Sequence, residues 1–157
     1  MGVEIERKFL VDHGKWNRID KPEGTHYRQG YLLNTEKETI RVRVSDKEGF
    51  LNLKSRFSQL SRKEYEYKIP LQDGVEILGA FTKYGTEKTR YKILFAGKIW
   101  EVDVFVGDNE GLIIAEIELE SEDEKFEKPD WVTKEVTDDG RYTNSSLSIN
   151  PYKNWRV

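Results

Sequence analysis

The sequence predicts an α+β fold organised as an antiparallel β-barrel, a tunnel with a charged lumen and flanking helices. Three observations point there. Segments of strand alternation bounded by Gly, Asn, Asp or Pro dominate the chain. In most of them one face carries charges while the other is apolar. The charges also segregate by sign from strand to strand, where an ordinary solvated sheet would mix them. Alternation alone fits an open sheet or sandwich with its charged faces in water equally well, so closure rests on the segregation.

The first segment, MGVEIERKFLV at residues 1–11, shows the pattern. Glu4, Glu6 and Lys8 share one face, with Val3, Ile5, Phe9 and Val11 mostly opposite. Two carboxylates two residues apart repel, and Lys8 offsets that only in part, so a divalent cation would complete the row. Further strands are expected near residues 25–33, 38–45, 49–57, 62–70, 86–96, 98–106 and 112–121, with a shorter one near 132–137. Thr39, Arg41 and Arg43 share a face in ETIRVRV, as do Asn52 and Lys54 in FLNLKS. Arg62, Glu64, Glu66 and Lys68 form a mixed row, and Lys88, Arg90 and Lys92 a cationic one. Glu101 and Asp103 oppose Val102 and Val104, while Glu116, Glu118 and Glu120 oppose Ile117 and Leu119.

Tight turns fit at Asp46–Gly49 and around Gly97, so neighbouring strands pair antiparallel. Leu71–Tyr84 has the stripe Val75, Leu78 and Phe81 of a helix. A short acidic helical start is expected at Ser121–Phe126, stopped by Pro129, and a last turn at Thr143–Ile149 before Pro151. If the charged faces point inward, the outward apolar residues need cover, which these helices are expected to provide.

A chain of 157 residues without linker or repeat suits one domain, 1–157. The charged share, 35%, is well above the roughly 25% usual for a globular domain. The 4 Trp, 8 Tyr and 7 Phe nevertheless exclude disorder. A net charge of −3 provides no global basic field, so neither nucleic acid nor an anionic membrane is an expected partner. With no cysteine there is no disulfide framework, thiolate metal site or cysteine nucleophile. No signal peptide or membrane span is recognisable, and a cytoplasmic protein is expected. His13 and His26 lie outside the charged rows and are expected at the surface.

Lys8, Arg41, Arg43, Lys54, Lys88 and Arg90 form one set, and Glu4, Glu6, Glu101, Asp103, Glu116 and Glu118 the other. A lumen with one cationic and one anionic wall cannot be dry, because uncompensated charge in a low dielectric costs several kcal/mol per group. Arg binds phosphate oxygens bidentately and Lys binds them as a point charge, while carboxylates hold Mg²⁺ or Mn²⁺. The guest implied is a metal-bound oligophosphate.

EIERKF at Glu4–Phe9, TIRVR at Thr39–Arg43, Leu53 with Lys54, EYE at Glu64–Glu66, EKTRY at Glu87–Tyr91, EVDVF at Glu101–Phe105 and EIELE at Glu116–Glu120 occur in order. With this set the chain resembles the CYTH domain family, the triphosphate tunnel metalloenzymes, and within it the small bacterial tripolyphosphatase-like members. The resemblance implies an eight-stranded antiparallel tunnel acting on a small-molecule triphosphate with Mg²⁺ or Mn²⁺. It implies metal binding by Glu4, Glu6, Glu116 and Glu118, with Asp103 assisting through a water. Phosphate would be held by Lys8, Arg41, Arg43, Lys54 and Arg90, supplemented by Lys88 and Arg62. Glu101 stands among the supporting carboxylates, and Glu64 and Glu66 either bind a second metal or tether basic side chains. Tyr31, in RQGYL, is implied as a catalytic partner of Lys8, the alternative being a core tyrosine. Arg141 is either a tunnel-mouth contact or a surface ion pair.

The leading activity is inorganic tripolyphosphatase, because the chain leaves little room for a nucleobase or thiamine pocket. An adenylate cyclase or thiamine triphosphatase, and a non-catalytic polyphosphate-binding or nucleotide-binding module, are the alternatives. A monomer or homodimer is expected.

Overall fold

Period-two alternation produces nine strands in the computed structural model, which describes residues 2–56 and 61–155 and, of these, leaves aside the side chains of 3, 4, 56 and 61. The strands are β1 (Gly2–Val11), β2 (Thr25–Asn34), β3 (Glu38–Val44), β4 (Gly49–Arg56), β5 (Ser61–Ile69), β6 (Gly85–Phe95), β7 (Lys98–Val106), β8 (Ile113–Glu118) and β9 (Val132–Glu135). Three helices are interspersed, α1 (His13–Arg18), α2 (Leu71–Phe81) and α3 (Asn144–Ile149). The strand order is β5-β4-β3-β2-β6-β7-β8-β1-β9, and β1 also pairs with β5.

That additional pairing matters most. The second half of β1 lies on β8, with Glu6 opposite Glu118 and Lys8 opposite Glu116. Its first half lies on β5, from Gly2 opposite Glu64 to Ile5 opposite Ser61. Eight antiparallel strands therefore return on themselves through a short seam, and β9 attaches beyond it to Phe9 and Val11. Register then decides every face, since a slip of one residue would turn the charged rows outward. The turn at Ala96 and Gly97 holds the β6–β7 register. Both residues have positive φ, +48° and +78°, as a two-residue hairpin requires.

The apolar faces of β1, β7 and β8 point outward into a core of Phe9, Trp100, Val102, Ala115 and Ile117. Trp100 is fully buried and meets Phe9, Phe126 and Trp131 edge to face, with centroids 5.6, 5.8 and 6.3 Å away. The cover differs from expectation. Much of it comes from α1, which contributes Trp16 and was not foreseen, and from residues 119–131, which contribute Leu119, Phe126 and Trp131. Residues 121–126 are turns and extended chain with no helix, yet Phe126 still reaches the core. At six residues α1 is too short to show periodicity; its one local signal is Asp12, whose carboxylate accepts from the Lys15 N–H at 2.9 Å. α2 was expected to run to Tyr84, ends at Phe81, and packs on β3 and β4. Gly74 permits the close approach, because a Cβ there would lie 2.8 Å from Val44 Cγ1.

A second apolar cluster, Phe105, Leu112, Ile114 and Leu147, stops one end of the lumen. Phe105 follows Asp103 and Ile114 precedes Glu116 on the same inward faces, and α3 adds the fully buried Leu147. The inward face therefore changes from charge to hydrocarbon where α3 docks. No helix among the described residues is long and apolar enough to cross a membrane.

Candidate active site

The lumen holds a cavity of about 270 Å³. Glu6 and Lys8 reach it from β1, Tyr31 from β2, Arg41 and Arg43 from β3, and Lys54 from β4. Arg62, Glu64 and Glu66 come from β5, Arg90 from β6, Glu101 from β7, and Glu116 and Glu118 from β8. These residues are distant in sequence and are brought together only by closure of the sheet. Glu4 lies in β1 opposite Arg62, and its side chain falls outside the described residues. Lys88 and Asp103 sit beneath the wall, at 0% and 1% exposure.

Of the two alternatives for Arg141, a tunnel-mouth contact or a surface ion pair, the structure has the ion pair, and the residue does not line the cavity. Its guanidinium pairs with Asp139 at 2.7 Å and lies over the Trp155 ring, 4.9 Å from the centroid, with the side chain more than half exposed. Asp103, expected near a metal, instead receives Arg90 Nε at 2.7 Å, Arg90 Nη2 at 3.0 Å and Lys88 Nζ at 2.6 Å. Of the histidines, His13 is exposed and His26 half-buried, 2.6 Å from Glu87. Thr143, Asn144 and Ser145 of the α3 region also line the cavity and carried no signal in the sequence, because strand alternation cannot register a helix docked into the lumen. Asn52 and Lys92 line it too and did lie on the charged rows.

The two walls interleave. Lys8 Nζ lies 3.5 Å from Glu116 and 3.7 Å from Glu6, Arg43 lies 3.6 Å from Glu66, and Lys54 lies 3.6 Å from Glu64. Asn52 Nδ2 donates to Glu64 at 2.9 Å and to Glu66 at 3.1 Å, which fixes both carboxylates beside β4. No hydrogen bond joins Lys8 to Tyr31 among the described residues, although both line the cavity.

Like charges are nevertheless crowded at two places. Burial and the neighbouring Arg41 and Arg90 press the Arg43 guanidinium below its usual pKa. Arg41 and Arg43 are both buried, and each has an Nε donor without a partner. An oligophosphate in the cavity would relieve the crowding of positive charge. Opposite them, burial and the charges of Glu64, Glu6 and Glu101 hold the Glu118 carboxyl above the usual carboxylate range. Such a cluster favours a cation. The donors are all oxygen, which suits a hard ion such as Mg²⁺ or Mn²⁺. Among the described residues no three carboxylates converge as a ready cage.

A closed strand circuit around opposed phosphate-seeking and cation-seeking clusters defines an oligophosphate-binding tunnel protein. The CYTH domain model matches residues 2–149, and the chain belongs to that family. It is 49% identical over 157 residues to an inorganic triphosphatase of Acetivibrio thermocellus, covering 99% of each chain. It is 39% identical over 155 residues to an inorganic triphosphatase of Nitrosomonas europaea, covering 94% of this chain and 97% of that one. A crystal structure of the inorganic triphosphatase NE1496 superposes with a TM-score of 0.65 at 36% identity, over 95% of this chain and 96% of that chain.

Proposed function

We propose that this chain is a divalent-metal-dependent inorganic triphosphatase, releasing orthophosphate from tripolyphosphate with Mg²⁺ or Mn²⁺. The observation that carries this reading is the crowding of Arg41, Arg43 and Arg90 across a 270 Å³ cavity from Glu6, Glu64, Glu101 and Glu118. The names borne by the relatives at 49% and 39% identity support it.

In this reading Arg41, Arg43, Lys54 and Arg90 grip the phosphates, with Arg62 and Lys92 at the cavity wall as supplements. Their fixed positive charge stabilises the negative charge that spreads over the transferred phosphoryl group and the departing pyrophosphate. Glu4, Glu6, Glu116 and Glu118 hold the cation, which when bound supplies Lewis acidity toward phosphoryl oxygen. Glu64 and Glu66, held by Asn52, tether Lys54 and Arg43. Asp103 acts as the holder of Arg90. Lys8, within 4 Å of both Glu6 and Glu116, and Tyr31 on β2 are the proposed proton carriers for the attacking water and the leaving oxygen.

Phosphate release from tripolyphosphate, measured with Mg²⁺, with Mn²⁺ and with EDTA, tests the function. Metal-dependent turnover is expected. Tight binding without turnover would make the chain a binding module, and cyclic nucleotide plus pyrophosphate from ATP would make it a cyclase. Unchanged kcat in both Lys8→Met and Tyr31→Phe would remove those two residues from the chemistry.

A further inference from the structure

Lys88 reaches the base of the lumen wholly removed from solvent, and its ammonium has two named acceptors on different elements. One is Asp103 of β7, at 2.6 Å. The other is Asn144 Oδ1, at 3.2 Å, contributed by the first residue of α3. The same Asp103 holds Arg90 by two hydrogen bonds, and Arg90 lines the cavity. Asn144, Lys88, Asp103 and Arg90 thus form one continuous chain from the docked helix to a phosphate-facing guanidinium. Apart from this contact, α3 is held by independent means. Leu147 sits in the apolar cluster, and Asn34 Nδ2 donates to the Ser145 carbonyl at 3.1 Å.

We propose that Asn144 is a positioning residue, which fixes Lys88 and through it the Asp103 carboxylate that aims Arg90 at the oligophosphate. The physical reason is that a buried ammonium with a single acceptor swings toward that acceptor. Asp103 would then be drawn toward Lys88 at the expense of its paired bonds to Arg90. The second acceptor on α3 holds the ammonium between two elements, and small displacements of a charge-binding group are amplified in affinity. Docking of α3 is in this way part of the phosphate-binding device as well as a closure of the lumen.

The inference deepens the triphosphatase reading and rests on it for the identity of the ligand, so its test has a readout apart from turnover. Tripolyphosphate affinity is measured by calorimetry in EDTA for the wild type, Asn144→Leu, Asn144→Ala, Lys88→Met and the Asn144→Leu/Lys88→Met double variant, alongside phosphate release with Mg²⁺. Asn144→Leu removes the acceptor at similar size, and Asn144→Ala does so without bulk. Each is expected to weaken binding about tenfold, with a loss of melting temperature smaller than that of Lys88→Met because Asp103 still pairs the ammonium. In the Lys88→Met background the same change is expected to add less than twofold, because residues acting as one unit are not additive. Wild-type affinity in both single variants, or full additivity in the double variant, overturns the proposal. A wild type that binds but does not hydrolyse sinks the functional reading alone and leaves the affinities to decide this one, whereas a wild type that does not bind sinks both.

Discussion

Asp103 grips Arg90 in a paired arrangement, Nε to Oδ1 at 2.7 Å and Nη2 to Oδ2 at 3.0 Å, while exposing only 1% of its own surface. Such a fork fixes the plane of a guanidinium as well as its position. The neighbouring cations Arg90 and Lys88 keep the carboxyl far below the usual carboxylate range in spite of its burial. Removing the acid would leave the buried Lys88 without its counter-charge and Arg90 with only the longer pairing to Glu101 at 3.5 Å. Asp103→Ala is therefore expected to lower unfolding stability by about 3–5 kcal/mol, read by urea denaturation, and to abolish tripolyphosphate turnover. Wild-type stability in that variant would show that Arg90 and Lys88 find other partners.

Glu118 sets up a pH-dependent prediction of the opposite sign. Its folded-state pKa is raised, so in the window between the ordinary carboxylate value and that raised value the folded chain binds more protons than the unfolded one. Stability contributed by this group is accordingly lost as pH rises through the window, and the cost persists at neutral pH. Metal-free Glu118→Gln is expected to melt above the wild type at pH 7.5 and level with it at pH values below the window. Added Mg²⁺ should reverse the order, because a ligand at a hundred times its Kd stabilises the folded state by about 2.7 kcal/mol. Thermal melts at the two pH values, with and without Mg²⁺, check both halves.

Burial pushes the Lys88 ammonium down to about 7, against the pull of Asp103 and with the help of Arg90. Between about 7 and the ordinary lysine value the unfolded chain binds more protons, so stability rises with pH across that window. The slope from one such group cannot exceed about 1.4 kcal/mol per pH unit. The wild type should therefore gain on Lys88→Met in urea denaturation between pH 7 and pH 9, where a flat difference would mean that Lys88 stays charged throughout.

Two glycines give a contrast in backbone space. A Cβ at Gly85 would sit 2.1 Å from the Gln29 carbonyl oxygen, inside the β2–β6 ladder, while one at Gly79 on α2 would meet nothing within 4 Å. Gly85→Ala is expected to destabilise by about 1–3 kcal/mol or more, by forcing the strands apart. Gly79→Ala should stabilise by about 0.5–1 kcal/mol, because the helix gains a residue of better propensity. Denaturation curves of the two variants test this directly.

Much of the site is legible in the sequence, because strand geometry ties residue parity to direction. Glu6 and Lys8, Arg41 and Arg43, Glu64 and Glu66, and Glu116 and Glu118 are spaced by two, and all eight line the cavity. The hairpin around Gly97 was legible too, since glycine adopts the positive φ of a tight turn without strain, whereas the positive φ of Ala96 beside it carried no sequence signal. Arg141 stayed open between two readings because a basic residue beside a turn looks alike whether it meets substrate or, as here, a neighbouring aspartate. α1 escaped because a helix of six residues leaves no periodic trace, and although a turn is expected at Thr143–Ile149, nothing in the sequence shows that Thr143, Asn144 and Ser145 enter the cavity.

What the chain's own order of residues settles is which side chains share a face, and with it the charge of each row; that follows from a repeat of two and from nothing further away. Which rows confront one another was decided only in three dimensions, by the pairing of β1 with β5 and β8. The same holds for Asp103, whose partners Arg90 and Lys88 come from β6, and for Asn144, which meets Lys88 across 56 residues of sequence. A carboxylate's role depends on what lies within about 3 Å of its oxygens, and alternation carries no information about that distance.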